Sequence, residues 1–328
     1  MSSVTRSGTE FATSAIANWP GAADEIFGGD QVVVFAHVTP ASGVVLTPLT
    51  NTGLRDRAAG TMTPVSSSIG MWRKFERVRR NPHVAVVYHT REHGFSSRPE
   101  YVLVQGRASL TSLLDRDWVE RHLTNWERFS GPRDVGPIGE RWLSAYHWRV
   151  GIEIAVERVA VWPDLACRSA PEVYGAPLPA EPPKPQSPPR KGTPPRIDHL
   201  RAAKRTGRRP NVLLGWVGSD EFPMVVPVQV KGTEERGMVL ELPAGVAVPG
   251  GGRRAGLTAH SFARYTFGQH QHKHTGWLET EPGERHVTYA PHTKTGYWLP
   301  ESRLLYRLAS GFVTRRGLRA ARRAGFVQ

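Results

Sequence analysis

The sequence predicts a mainly β (α+β) fold: two small antiparallel barrels in tandem, with few helices. Three observations lead there. The first half contains six short strand-like runs with one helix between the third and the fourth. A proline tract, EPPKPQSPPRKGTPPR, divides the chain at 181–196. Beyond it, the second half passes through the same succession of apolar runs as the first. No GxGxxG motif follows a strand and no Walker A motif occurs, so a nucleotide-binding α/β layout is excluded.

In the first unit, Gln31–Val38 (QVVVFAHV) is a buried strand. The turn TPASG follows, and Val44–Leu49 returns as its hairpin partner. Thr61–Ile69 is a third strand. Met71–Arg80 is a helix, because Met71, Phe75 and Val78 share one face. It stops at Asn81-Pro82, since the residue before proline is forced out of the helical region. His83–His89 and Tyr101–Leu110 are strands. Leu113–Phe129 is an amphipathic helix, with Leu114, Trp118, Arg121 and Asn125 at helical spacing. Arg149–Trp162 closes the unit as a strand, the alternation of its Val150, Ile152, Ile154 and Val156 being that of a strand with one buried face.

Seven prolines in the sixteen residues 181–196 allow neither helix nor sheet interior, so an extended, semi-rigid linker is expected. The expected units are residues 10–165, a linker at 166–196, and residues 197–328. In the second unit VLLGWVGSDEFPMVVPVQV (212–230) imitates residues 32–50: strand, polar turn, strand carrying a proline. Gly237–Leu242 takes the third-strand role. AGLTAHSF (255–262) stands where VAVVYHTR stands, and HTGWLE (274–279) where VQGRAS stands. The helix slot differs. PAGVAVPGGGRRAG (243–256) is glycine-rich and expected to be irregular. The tail from 303 reads as an amphipathic helix followed by a basic one.

The 328 residues carry a net charge of +14. Residues 190–209 hold eight Arg/Lys against one Asp, and residues 301–328 hold seven Arg against one Glu. Nearly all of the excess is therefore in a linker and a terminal helix. No aromatic residue interrupts the first tract, as single-strand readers require, so nucleic acid is not the expected partner. No run approaches the roughly 18 apolar residues that span a bilayer. The start, MSSVTRSGTEF, lacks the pattern of a secretory signal. The single cysteine, Cys167, excludes an internal disulfide. A soluble, reduced, cytoplasmic protein is expected.

The most informative stretch is SSSIGMWRKFERVRRNP. Ser66, Ser67 and Ser68 lead into a helix whose first turn carries Arg73 and Lys74. Hydroxyls, the free N–H groups of a helix start and a bidentate guanidinium together suit a phosphate. Arg77, Arg79 and Arg80 are expected on a solvated face.

This stretch, with VLVQGRA (102–108) and RVAVW (158–162), resembles the pyridoxamine 5′-phosphate oxidase-like, FMN-binding split-barrel family over about residues 28–165. In that family a strand rich in hydroxyls enters an Arg-Lys helix ending at Asn-Pro, as Arg73-Lys74 and Asn81-Pro82 do here. The resemblance implies two tandem split β-barrel domains. It implies FMN, with deazaflavin or haem as alternatives. The FMN phosphate would lie near Ser66, Ser67, Ser68, Arg73 and Lys74, with Tyr101 and Gln105 near the ring. It also implies an oxidoreductase acting on a small-molecule substrate, with a non-catalytic flavin- or haem-binding protein as the alternative. Such barrels pair as homodimers, so a tandem chain is expected to form an intramolecular pseudo-dimer. The sequence departs from the true oxidases at Gly43 and Pro48, where those carry basic residues, and at Tyr101, where they carry an amide.

Two further candidates lie in the second unit. Arg253 and Arg254, after three glycines, could bind an anion. His270, His272 and His274 alternate along a strand and share a face. That spacing suits a transition metal or an axial haem ligand, or an ordinary half-exposed strand. No metal site is expected, because no carboxylate completes a ligand set.

Overall fold

The computed structural model describes residues 19–281 and 283–327; the chain start discussed above lies outside them. Its first part holds α1 (Gly21–Phe27), β1 (Val32–Val38), β2 (Val44–Thr50), β3 (Leu54–Asp56), β4 (Thr61–Ser68), α2 (Trp72–Arg80), β5 (His83–Tyr88), β6 (Tyr101–Leu110), α3 (Trp118–Arg121), α4 (Leu123–Ser130), α5 (Gly136–His147), β7 (Arg149–Trp162) and β8 (Glu172–Gly175). The rest holds α6 (His199–Thr206), β9 (Asn211–Val217), β10 (Pro223–Pro227), β11 (Gln229–Glu234), β12 (Gly237–Glu241), β13 (Gly251–Ser261), β14 (His270–Thr280), β15 (His286–Pro291), β16 (Thr295–Trp298) and α7 (Arg303–Arg323).

The strands form two antiparallel, eight-stranded sheets, consistent with two split barrels. The first runs β2-β1-β5-β6-β7-β4-β3, with β8 added on β7. The second runs β10-β9-β13-β14-β15-β12-β11, with β16 added on β14. The two orders are the same. The registers correspond as well. Gly106 pairs across from Val84 and Gly276 from Ala255. In both, a Cβ would run into a carbonyl oxygen of the next strand, Ala155 or Ala290. His37 faces Val84 and Trp216 faces Ala255, which sets Pro227 in the place of Pro48. Laying 212–230 directly on 32–50 is therefore off by one residue.

Two cores result, as strand alternation requires. One is enclosed by the first sheet: Val33, Phe35, Val84, Val86, Val102, Val104, Ile152 and Ile154, with Phe75 and Val78 from α2. The other lies between the sheets. Val34, Ala36, Leu46, Val87, Leu103 and Trp162 meet Leu214, Trp216, Val225, Leu240, Leu257 and Tyr289 there.

Several elements depart from the sequence expectation. Helix 113–129 is broken at His122 into α3 and α4, and α5 was not foreseen. The glycine-rich segment is not irregular throughout: Gly251–Ser261 is strand. Bare glycines suit it, since a Cβ at Gly251 or Gly252 would strike Pro185 or the Trp277 ring. The proline tract is extended, and it is also bonded to this strand, through Gln186 N–H to Gly252 O (2.8 Å) and Arg254 N–H to Gln186 Oε1 (2.9 Å). The tail is one helix. Although α7 follows the second sheet, its Leu318 and Ala321, with Phe326 just beyond its end, belong to the first sheet's core. Among the described residues no helix is long and apolar enough to cross a membrane.

Candidate functional site

The three serines end β4, where successive side chains point to opposite faces. The structure therefore divides them. Ser68 donates to Ala145 O (2.6 Å) and accepts from Gly70 N–H (3.2 Å), so it closes the turn into α2. Ser67 Oγ accepts from Lys74 Nζ at 2.9 Å. Ser66 Oγ accepts from Arg149 Nε at 3.2 Å, and its carbonyl from the same guanidinium at 2.8 Å. Arg73 is exposed and lies over its neighbour Trp72, 5.6 Å from the ring centre.

Lys74 is the centre of a cationic group that draws on both sheets. Burial, then Lys273 of β14 and Arg149 of β7, push its pKa down to about 7. Burial and Arg77 push Lys273 down to about 8. His37, 2% exposed, is held at about 3 by burial and by Arg77, Lys74 and Lys273. Its Nε2 lies 3.5 Å from Arg77 and its Nδ1 has no partner. Burial also lowers Arg149, which Trp126 and Tyr146 flank at 5.0 and 5.3 Å. Among the described residues, none of Lys74, Arg77, Arg149 and Lys273 is in an ion pair (salt bridges are otherwise frequent). A cluster of cations with no carboxylate is set up for an anion. Phosphate fits the donors around Lys74: the two lysine ammonium groups, the Arg77 guanidinium and the Ser67 hydroxyl, with Ser66 and Arg149 bonded to each other on the opposite face of β4.

Of the residues that the sequence singles out, Ser66, Ser67 and Lys74 lie in or beside this group; His37, Arg77, Arg149 and Lys273 join it without having been singled out as candidates. The last two lie far along the chain and carry no local motif. Tyr101 and Gln105 stand apart from the cluster. Both are buried between the sheets, where Tyr101 Oη donates to Val225 O and Gln105 Nε2 to Pro223 O, each at 2.8 Å. Arg253 is 1% exposed and holds the proline tract through Pro183 O (3.1 Å) and Gly250 O (2.6 Å). Arg254 binds Gln186 at 3.2 Å. These four side chains are spent on internal bonds.

His270, His272 and His274 do lie on one strand. His274 Nδ1 is 3.0 Å from Thr293 O, and His270 Nδ1 is 3.3 Å from Arg209. Burial and nearby Arg209, His274 and Arg205 hold His272 at about 4. Cations beside imidazoles oppose a metal ion, and no three His, Cys, Asp or Glu among the described residues form a ligand group.

The space around the cluster is limited. Cavities of ≈ 10 Å³ beside Thr50, Ser66 and Arg149, and ≈ 30 Å³ beside Tyr146 and Tyr306, are lined by residues of α3, α4, α5 and α7.

No protein-family model matches the sequence. No curated protein matches it. Among solved structures, one is a candidate pyridoxamine 5′-phosphate oxidase from Listeria innocua: 25% identity, covering 42% of this chain and 91% of that one, TM-score 0.28. Another is an FAD-binding protein from Mesorhizobium loti: 21% identity, 44% and 94% covered, TM-score 0.30. A third is an F420 reductase: 15% identity, 42% and 94% covered, TM-score 0.30. Over somewhat less than half its length, the chain is similar to pyridoxamine 5′-phosphate oxidase-like and flavin-binding structures.

Proposed function

We propose that the chain is an FMN-binding, pyridoxamine 5′-phosphate oxidase-like oxidoreductase acting on a small organic substrate. One observation supports the reading above all. Lys74, held by Ser67, lies close to Lys273 of the other sheet, with Arg77 and Arg149 nearby, and none of the four has an acidic partner among the described residues. In this reading Lys74 and Lys273 neutralise the cofactor phosphate, with the Arg77 guanidinium and the Ser67 hydroxyl beside them. Neutral His37 offers its free Nδ1 as a further polar contact. The flavin, when bound, supplies the redox chemistry. The chain supplies binding, orientation and the exclusion of water. A deazaflavin presents the same phosphate chemistry and is distinguished by mass.

The test is the absorption spectrum of the purified chain, with the released ligand weighed. FMN is expected, and it should be lost from the Lys74→Ala/Lys273→Ala variant. A colourless protein that takes up no added FMN would overturn the reading.

A second reading, flavin binding without turnover, is favoured by the small cavities beside Ser66 and Tyr306. A tricyclic ring needs far more room, since small-molecule pockets run to about 300–1,000 Å³. Under this reading bound flavin is retained, but it is neither reduced by NADH or NADPH nor reoxidised faster than free FMN.

A further inference from the structure

The counterpart of the cluster in the second sheet is a different kind of place. The registers set Glu241 where Ser66 stands, Leu242 where Ser67 stands and Pro243 where Ser68 stands. Leu103 takes the place of Lys273. The hydroxyls and the lysine that suit phosphate are therefore gone. The helix α2 also has no equivalent, because residues 243–250 form no helix.

This second place is open, and the reason is in the connections. Between β6 and β7 the chain inserts residues 111–148, and α3, α4 and α5 fill the space beside Ser66. Between β14 and β15 it passes through residues 281–285 alone. What remains is a cleft of ≈ 850 Å³, lined by residues 89–92 after β5, the starts of β9 and β11, and the ends of β10 and β12. That volume is of the size that holds a small organic molecule.

The lining has an apolar part and a charged part, and the charged part also holds Arg91, paired with Asp30, and the Glu92 carboxylate. Leu165, Val212, Leu213, Val228 and Leu242 give an apolar wall. Arg168 and Arg285 give positive charge. Arg168 is exposed and in no ion pair among the described residues. Glu241 is bound at 2.6 Å by Lys231, and Arg285 stands off it at 3.6 Å. The acid is thus already neutralised, which leaves the guanidinium of Arg285 able to take a second anion.

We propose that this cleft is a second ligand site, chemically distinct from the phosphate cluster, that takes a small organic acid: an apolar body carrying one carboxylate or sulfonate. The assignment does not depend on the flavin reading. The cleft selects for apolar area through its wall, and it offers no lysine and a single hydroxyl, that of buried Thr90, which already accepts from Glu92 N–H.

The probe is 1-anilinonaphthalene-8-sulfonate, titrated into the full chain and followed by fluorescence. One saturable site per chain is expected. Arg168→Glu/Arg285→Glu, both at the surface, should weaken it tenfold or more. Ala244→Trp, at the exposed edge of the cleft, should abolish it. Lys74→Ala/Lys273→Ala should leave it unchanged. The uncharged analogue N-phenyl-1-naphthylamine should bind at least tenfold more weakly than the sulfonate. Unsaturable binding, or binding unaffected by the arginine reversal, would overturn the site. So would loss of binding in the lysine variant, which would move the probe to the cluster. Equal affinity for the uncharged analogue would overturn the acid. Should Ala244→Trp fail to fold, the arginine reversal alone decides.

Discussion

His89 Nε2 lies 3.0 Å from His260 Nε2, and the two residues hold the same place in their respective sheets. Like positions can touch only where the relation between two units is reciprocal, as in an isologous dimer. The other contacts agree: β6 side chains bond to β10 through Tyr101 and Gln105, while Gln271 of β14 bonds to Pro48 O of β2 at 2.8 Å. Both imidazoles are buried, one donating and one accepting, so neither carries charge.

This pair predicts acid sensitivity. Burial holds His89 at about 3 and His260 well below its ordinary value. Unfolded, both would titrate near 6.5. Their contribution is therefore complete above about pH 6.5 and is lost as pH falls toward 3. The loss is about 1.4 kcal/mol per histidine for each unit. His260→Gln keeps a hydrogen-bond partner for His89 and removes one titrating group. Its melting temperature should fall less steeply between pH 6 and pH 4 than that of the parent. An unchanged slope would show that the pair does not titrate on unfolding.

Gly106 and Gly276 predict a matched pair of defects. In each, the added methyl of an alanine meets the carbonyl oxygen of Ala155 or Ala290. Backbone in a sheet cannot yield without breaking its own ladder. Overpacking of this kind costs about 1–3 kcal/mol. Gly106→Ala and Gly276→Ala should each lower the melting temperature by several degrees. If only one does, the two sheets are not built on the same close approach.

The C-terminal helix gives a third test. A Cβ at Gly70 would lie 2.6 Å from Thr314 O, and one at Gly317 would strike Gly70 O. The turn before α2 and the helix α7 therefore meet backbone to backbone. Gly317→Ala is expected to loosen α7, read as faster amide exchange over residues 303–327 with the exchange of β9–β15 unchanged. Spread of the effect into the second sheet would show that α7 is anchored there instead.

How far the sequence carried this picture depends on whether a feature was local. Gly106 in VQGRAS and Gly276 in HTGWLE are visible because a glycine inside a strand at the same offset leaves a mark. The Asn81-Pro82 stop is visible for the same reason. Helix α5 is not, since it opens on Gly136-Pro137, holds Gly139 and has a weakly periodic face. The serine triplet is divided for a geometric reason. Three hydroxyls in a row look like one cradle, but a strand sends Ser66 and Ser67 to opposite sides. Arg149 and Lys273 come to Lys74 through the pairing of two sheets, which no window of sequence contains. Tyr101 and Gln105 enter the candidate site through the resemblance alone, and the structure bonds them across the contact between the sheets.

Lys74 and Lys273 give the last prediction. Both have folded pKa values depressed by burial and by other cations, to about 7 and about 8, against 10.5 for the free side chain. Without a bound anion, the unfolded chain binds more protons than the folded one between about pH 7 and pH 10.5. Stability from these groups is therefore lost as pH falls through that window. Lys74→Met removes the repulsion while keeping most of the stem, so at pH 7 its melting temperature should exceed the parent's by a few degrees. Inorganic phosphate should reverse the order. It pairs with the lysines, raises their pKa values and stabilises the parent more than the variant, the more so at pH 6.5 than at pH 8.5. A parent that gains no more from phosphate than Lys74→Met does would mean that the cations relax apart and form no anion site.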